Sequence, residues 1–165
     1  IPNYYCMTKR LVEKTCKKNN LIVIRTNFFG KSNSKNKSFS DWIYKSFKSD
    51  EKFYLLNDVY FSPLNLSTLS KMIKKIIKKI EVTRGIYNIG SRDCISKKNF
   101  AIKFAKLCNI YKKNYQSIDS KSLFTTKRPR FMCMNTQKFE KHFKVKMPTI
   151  NSQILHEVKK YKLKK

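Results

Sequence analysis

Apolar positions along this chain recur with two alternating periods, one helical and one extended. Tyr4, Met7, Leu11 and Thr15 share one helical face, with Asn3 placed to cap it and Asn19-Asn20 to stop it, which predicts a first helix. Leu21-Ile22-Val23-Ile24 follows, a β-branched run of the kind buried on both faces of a parallel sheet, and it leads into Arg25-Thr26-Asn27-Phe28-Phe29-Gly30. The polar stretch 31–37 reads as a loop and a domain junction. Beyond it Phe39, Ile43 and Phe47 restore helical spacing, 53–56 is a strand candidate and 58–63 a turn. Leu69, Met72, Ile73, Ile76, Ile77 and Ile80 make the clearest amphipathic helix, and its stripe is expected to face the core. Gly85-Ile86-Tyr87-Asn88-Ile89-Gly90 is a strand punctuated by glycines, and Ser96 caps a helix carrying Phe100, Phe104, Leu107 and Cys108. After a break at Arg128-Pro129, helices are expected near 136–142 and 152–161. Strands alternating with helices make this an α/β protein, and no repeat is visible at a fixed period.

With 41% hydrophobic and 13% aromatic residues in 165, the chain has material for a real core. The formal net charge of +28 raises nucleic acid, an anionic membrane or an anionic small substrate as partners. Only Arg10, Arg25, Arg84, Arg92, Arg128 and Arg130 among the basic residues are arginines, whereas bidentate phosphate and base recognition favours Arg. Lysine is spread along the chain and travels with Asn, Ile, Tyr and Phe, so a solvated charged surface is preferred over a dedicated nucleic-acid face. No apolar run approaches a bilayer span. The five cysteines are odd in number and lack a Cys-x-x-Cys spacing, so neither a disulfide framework nor a zinc ribbon is expected, and a reducing, cytoplasmic compartment fits best. His142 and His156 are separated by thirteen residues and fall in no metal-ligand spacing with thiols or carboxylates, so no metal site is expected. The chain opens on Ile1-Pro2 with a helical pattern starting at once, as expected of a text that begins mid-domain.

Tyr5 and Lys9 stand four apart, which puts a phenol and an ammonium on one helical face. A nearby positive charge favours phenolate, which would draw Tyr5 from its ordinary range near pKa ~10 toward neutrality and suit it to acid–base work. The spacing alone is not diagnostic in so lysine-rich a chain, because Tyr44/Lys48 and Tyr161/Lys165 repeat it. Only the first pair precedes a strand of the buried parallel type, where a doubly wound fold presents its ligand-facing ends.

These residues carry a resemblance. Pro2-Asn3-Tyr4-Tyr5-Cys6-Met7-Thr8-Lys9 with Glu13 resembles the P-x-x-x-Y-G-x-S-K-x-x-x-E helix of extended short-chain dehydrogenases/reductases. Arg25-Thr26-Asn27-Phe28-Phe29-Gly30 resembles their R-x-x-N-x-Y-G strand end. Phe61-Ser62-Pro63, the 85–90 strand, Ser96 with Phe100, and Arg128-Pro129 followed by Asn135 and Lys138 resemble the substrate half of dTDP-4-dehydrorhamnose reductases. Cys6 replaces the usual Gly and Thr8 a common Ser. The H-V-x-D segment of epimerases and dehydratases is absent, with Ser62-Pro63-Leu64 in its place, which favours the reductase branch.

The resemblance implies the C-terminal part of a Rossmann-type doubly wound parallel sheet plus a small mixed α/β substrate-binding domain. Residues 1–31 would end the NAD(P)-binding domain and 32–165 form the substrate-binding region, with the strand 85–90 returning to the Rossmann sheet. It further implies NADP(H) or NAD(H) as cofactor and a nucleotide sugar as substrate. Tyr5 and Lys9 would be catalytic and, with Asn27 and Phe28, border the cofactor, while Asn27 and Arg128 would contact substrate. Neither a specific nucleic-acid partner nor a membrane is implied, and a homodimer is the assembly it allows. The competing readings are an NAD-dependent nucleotide-sugar epimerase or dehydratase, and a non-catalytic, Lys-rich binding or regulatory module.

Overall fold

A computed structural model describes residues 4–18, 21–123, 125 and 128–162, the side chains of Tyr5, Cys16, Lys17, Lys18 and Val82 excepted. The elements run α1 (Tyr4–Lys18), β1 (Ile22–Thr26), β2 (Phe28–Phe29), α2 (Phe39–Lys48), β3 (Phe53–Leu56), β4 (Tyr60–Phe61), β5 (Leu64–Asn65), α3 (Leu66–Ile77), β6 (Gly85–Ile89), β7 (Ile95–Ser96), α4 (Lys97–Leu107), β8 (Tyr115–Ile118), α5 (Ser120–Leu123), β9 (Phe131–Met132), α6 (Gln137–Phe143) and α7 (Ile150–Lys162). The α/β class expected from the pattern is the class observed. The caps proposed at Asn3 and at Asn19-Asn20 lie outside the described residues.

Two parallel pairings set the frame. β1 pairs with β6 from Ile22↔Gly85 to Thr26↔Ile89, and β3 pairs with β8 from Phe53↔Tyr115 to Leu56↔Ile118. The crossover from β1 to β6 passes through α3, as a parallel connection requires. No other strand among the described residues pairs with β1, and Leu21 is half exposed beside it.

Two apolar clusters fill the molecule. One gathers Phe29, Ile43, Phe47, Leu55, Phe61, Phe100, Phe104 and the α7 residues Ile150, Ile154, Val158 and Tyr161. The other gathers Leu64, Leu69, Ile76, Tyr87, Ile89, Phe139, Phe143 and Met147 between the β1–β6 pair, α3 and α6. Helix α2 starts with a reciprocal capping box between Ser38 and Asp41, α3 is capped by Asn65 and α4 by Ser96, whose hydroxyl accepts the Asn99 N–H at 3.1 Å. The 58–63 stretch, expected to be a turn, contains β4, and β5 follows it. These two-residue strands form because distant partners reach them: β5 pairs with β2, and β4 lies between β7 and β9.

Ser62 and Pro63 form a buried hub. The Ser62 carbonyl accepts the Ser91 N–H at 3.1 Å, its hydroxyl accepts the Met134 N–H at 3.2 Å, and the Ser91 hydroxyl donates to the Pro63 carbonyl. Gly90 is required at this crossing, because a Cβ there would stand 2.6 Å from the Ser62 carbonyl oxygen.

Two expectations are corrected. The stripe expected on α3 is only half core: Leu69 and Ile76 are buried, whereas Ile73 and Ile77 are exposed, as is Ile80 beyond the end of α3. Cys94 and Cys133 form a disulfide, their Cα atoms 5.5 Å apart and 39 residues apart in sequence. The β-sheet brings the two together, β7 and β9 flanking β4, so no local spacing could announce the bond. Cysteine content therefore gives no ground for a reducing compartment. Cys108 is buried, and burial pushes its thiol up to about 11. Among the described residues no helix is long and apolar enough to cross a membrane, and no group of three or more His, Cys, Asp or Glu could hold a metal.

Candidate functional site

The helix and strand motifs are joined by an ion pair that ties one to the other. Glu13 of α1 accepts hydrogen bonds from both Nε and a terminal nitrogen of Arg25 on β1, a two-pronged guanidinium–carboxylate contact. That contact raises the Arg25 pKa against the opposing effect of burial. Helix α1 ends at Lys18 and β1 opens at Ile22. The Glu13–Arg25 contact joins residues a few positions from those two ends, so helix and strand lie side by side in opposite directions. The N-terminal turns of α1 consequently lie toward the carboxyl end of β1.

At about 1.5 Å of rise per residue, Lys9 and Tyr5 lie roughly 6 and 12 Å along α1 from Glu13. Their backbone is therefore carried toward the carboxyl end of β1, the end at which open parallel sheets place ligands. The Tyr5 side chain lies outside the described residues, and Lys9 is exposed.

Asn27 and Phe28 stand at that same end. The Asn27 carbonyl accepts the Leu64 N–H at 3.0 Å and its side-chain nitrogen donates to the Thr26 carbonyl at 3.3 Å. Its side-chain oxygen, however, is buried and has no hydrogen-bond partner. The Asn57 and Asn114 oxygens share that condition, but only Asn27 stands where β1 ends. A buried acceptor left without a donor costs about 1–3 kcal/mol, so this oxygen has the capacity to accept an N–H or O–H from a group outside the described residues. Phe28 is more than half exposed beside it, while its neighbour Phe29 is buried.

The segment after Phe29 is clamped by α7, a feature that the sequence pattern does not announce. Glu157 is wholly buried and accepts the Lys31 N–H at 2.8 Å and the Lys160 ammonium at 2.9 Å. Lys31 in turn donates to the Lys160 carbonyl at 2.7 Å. Asp41 accepts the Ser32 N–H at 2.9 Å and the Tyr161 hydroxyl at 2.6 Å. Burial opposes the Asp41 charge, but these bonds outweigh it and hold the carboxyl below its ordinary value. Tyr161 moves the other way, raised first by burial and then by its bond to Asp41.

The two competing tyrosine–lysine pairs are thereby explained as packing. Tyr161 is buried in the core with its hydroxyl on Asp41, and Lys165 lies outside the described residues. Tyr44 packs against Tyr161 with ring centroids 5.0 Å apart, and the Lys48 ammonium lies 5.3 Å from the Tyr44 ring centre.

Arg128 is exposed, on the segment that leads into β9. Its neighbour Arg130 pairs with Asp58 at 3.7 Å, and the Arg130 carbonyl accepts the Tyr60 N–H at 2.7 Å. Tyr60 and Leu64, four residues and no more than ~13 Å apart at about 3.3 Å per extended residue, thus link the arginine segment to Asn27 through one hydrogen bond at each end. Burial, and then the like charge of Arg128, lower the Lys97 pKa below the ordinary lysine value.

The RmlD substrate binding domain model matches residues 2–163 of this chain. No curated protein matches the sequence. Among solved structures, a dTDP-4-dehydrorhamnose reductase from Bacillus anthracis in complex with NADP is similar at a TM-score of 0.81 and 21% identity, over 96% of this chain and 55% of that one. A dTDP-4-dehydrorhamnose reductase ortholog from Clostridium acetobutylicum gives 0.83 and 16%, over 98% and 57%. A dTDP-glucose 4,6-dehydratase from Bacillus anthracis in complex with NAD gives 0.74 and 16%, over 98% and 53%. The chain thus spans little more than half the length of these structures, and at such identities the likeness is one of fold.

Proposed function

The chain belongs to the RmlD substrate-binding domain family, and from that premise we propose that it is the substrate-holding part of an NAD(P)H-dependent reductase acting on a 4-keto nucleotide sugar. Residues 1–31 contribute the closing helix and strand of the cofactor-binding domain, and 32–165 hold the substrate. The observation that carries this reading is the orphaned Asn27 oxygen at the carboxyl end of β1, on the strand that Glu13 and Arg25 tie to the Tyr5/Lys9 helix. A nicotinamide carboxamide or a sugar hydroxyl would supply the donor that this oxygen lacks, so the residues present fit a nicotinamide cofactor.

A nicotinamide held at this site would supply the hydride for the carbonyl carbon. Tyr5 donates its phenolic proton to the carbonyl oxygen, so that C=O becomes CH–OH, and Tyr5 regains a proton from solvent. Lys9 holds the cofactor ribose and favours the phenolate between turnovers. Asn27 and Phe28 border the reacting carbon, and Arg128 holds the diphosphate. The cradle for the cofactor pyrophosphate must come from a glycine-rich strand–turn–helix outside these residues, whose only glycines are Gly30, Gly85 and Gly90.

Absorbance of the reduced nicotinamide tests the reading on the longer polypeptide carrying these residues with such a half. A reductase consumes one equivalent of NAD(P)H per 4-keto nucleotide sugar added. Turnover of the sugar with no net loss of that absorbance would replace the assignment with an epimerase that recycles its cofactor.

A further inference from the structure

The Cys94–Cys133 disulfide stands where solvent reaches it. Both of its residues are exposed, whereas Cys108 is buried and Cys6 half-buried. A disulfide inside a core is shielded from thiols, but an exposed one can be attacked on sulfur, so access decides whether it exchanges. The net charge of +28 also favours the approach of an anionic thiol such as glutathione.

The bond joins two segments that are held very differently. The turn before β7, which carries Cys94, is pinned at three successive residues. The Ser91 N–H donates to the Ser62 carbonyl at 3.1 Å, the Arg92 N–H donates to the Pro148 carbonyl at 3.0 Å, and the Asp93 carboxylate accepts the Ile150 N–H of α7 at 2.7 Å. Cys133 lies instead on an arm, 130–134, along the open edge of the sheet ordered β7–β4–β9. Its strand β9 has two residues and pairs with β4 alone among the described strands, and Phe131 is 76% exposed although it stacks on Tyr60. The other ties of the arm are few: the Tyr60 N–H to the Arg130 carbonyl, the Met134 N–H to the Ser62 hydroxyl, and the ion pair of Arg130 with Asp58 at 3.7 Å. Short, solvent-exposed ladders at an edge are the parts of a fold that open first, so the covalent bond to the pinned turn is what keeps this arm down.

We propose that Cys94 and Cys133 are a site of reversible thiol–disulfide exchange, and that their bond latches the β9 arm to the turn before β7. A glutathione thiolate attacks one of the two sulfurs, the S–S bond breaks, and a mixed disulfide forms while the other cysteine leaves as a thiol. A second glutathione then displaces the first. In sum, the disulfide and two glutathione thiols give two cysteine thiols and one glutathione disulfide, so the protein is reduced by two electrons and glutathione is oxidised by the same two. The turn and α4 keep their own hydrogen bonds after reduction, whereas the arm loses its strongest tie. This inference stands apart from the reductase reading and does not depend on it.

Thiol alkylation read by mass spectrometry tests the exchange in this chain. After equilibration with oxidised glutathione, Cys94 and Cys133 should be linked to each other and resist alkylation. Reduced glutathione, without denaturant, should open both to the reagent, and oxidised glutathione should close them again. Cysteines that are never linked, or a bond that persists in the folded chain under a large excess of reduced glutathione, would overturn the proposal. Hydrogen exchange read by NMR tests the latch. Reduction should speed exchange of the Tyr60 and Met134 amides roughly tenfold or more while the amides of α4 stay protected. Cys94→Ser and Cys133→Ser should each show the fast arm without reductant and should not respond to it. Equal arm exchange in the oxidised and reduced chain would mean that the bond holds nothing down. An arm that loses protection only together with α4 would mean that the bond staples the whole fold, and either result would sink the latch.

Discussion

Replacing Tyr5 by Phe in the longer polypeptide should reduce turnover by roughly 10²–10⁴, the usual contribution of a positioned general acid, with little change in nucleotide-sugar binding. The ring and its packing survive the substitution, and only the transferable proton is lost. Lys9→Met should also cut turnover, and should in addition weaken cofactor binding and move the pH optimum upward, because Tyr5 loses a neighbouring charge. Tyr44→Phe is the internal control. It alters a tyrosine with the same lysine spacing whose ring serves packing against Tyr161, so it should leave turnover within a few fold. Steady-state kinetics on the three variants decide the matter. Comparable losses at Tyr5 and Tyr44, or near-full activity of Tyr5→Phe, would reduce the helix motif to a coincidence of composition.

Phe100→Ala should have the largest effect on stability. Phe100 is fully buried at the meeting of four other rings: Phe29 at 4.9 Å, Phe61 at 5.3 Å, Phe39 at 5.8 Å and Phe104 at 6.3 Å between centroids. Truncation removes the apolar contact and leaves a cavity that the surrounding rings fill only in part, at a cost of about 3–5 kcal/mol. Against the ~5–15 kcal/mol of a typical domain, that is a large share of the total. Urea unfolding should show a lower midpoint at nearly unchanged slope. Leu155→Ala, on the exposed face of α7, should shift it far less, and equal midpoints for the two variants would contradict the packing described.

The elements that can be read from the sequence are those whose own residues determine them. Phe39, Ile43 and Phe47 behind a Ser38 cap specify α2 locally, as Phe100 and Phe104 behind Ser96 specify α4. The elements that escape such reading are made by distant partners. Tyr115–Ile118 has the length of a strand but a mixed Tyr-Gln-Ser-Ile pattern, and it becomes β8 only because β3 offers it an edge. Glu157 sits in a lysine-rich segment that reads as solvent-facing, and it is buried because the Lys31 N–H and the Lys160 ammonium satisfy it. Tyr5, Lys9 and Asn27 stand out in the sequence as candidates because two motifs fall at a fixed separation.

The clamp between α7 and the segment after β2 also governs when this fold can be completed. Glu157 reaches Lys31 across 126 residues, Tyr161 reaches Asp41 across 120, and Gln153 reaches Asn65 across 88. Closing contacts so remote in sequence is slow, because the entropy of a long loop is lost before the contact repays it. During synthesis, α7 is the last described element to emerge, so until it does Phe29, Ile43 and Phe104 lack the apolar face of Ile154, Val158 and Tyr161 that completes their cluster. The segment leading away from Asn27 through Lys31 therefore acquires its final shape only after α7 has left the ribosome.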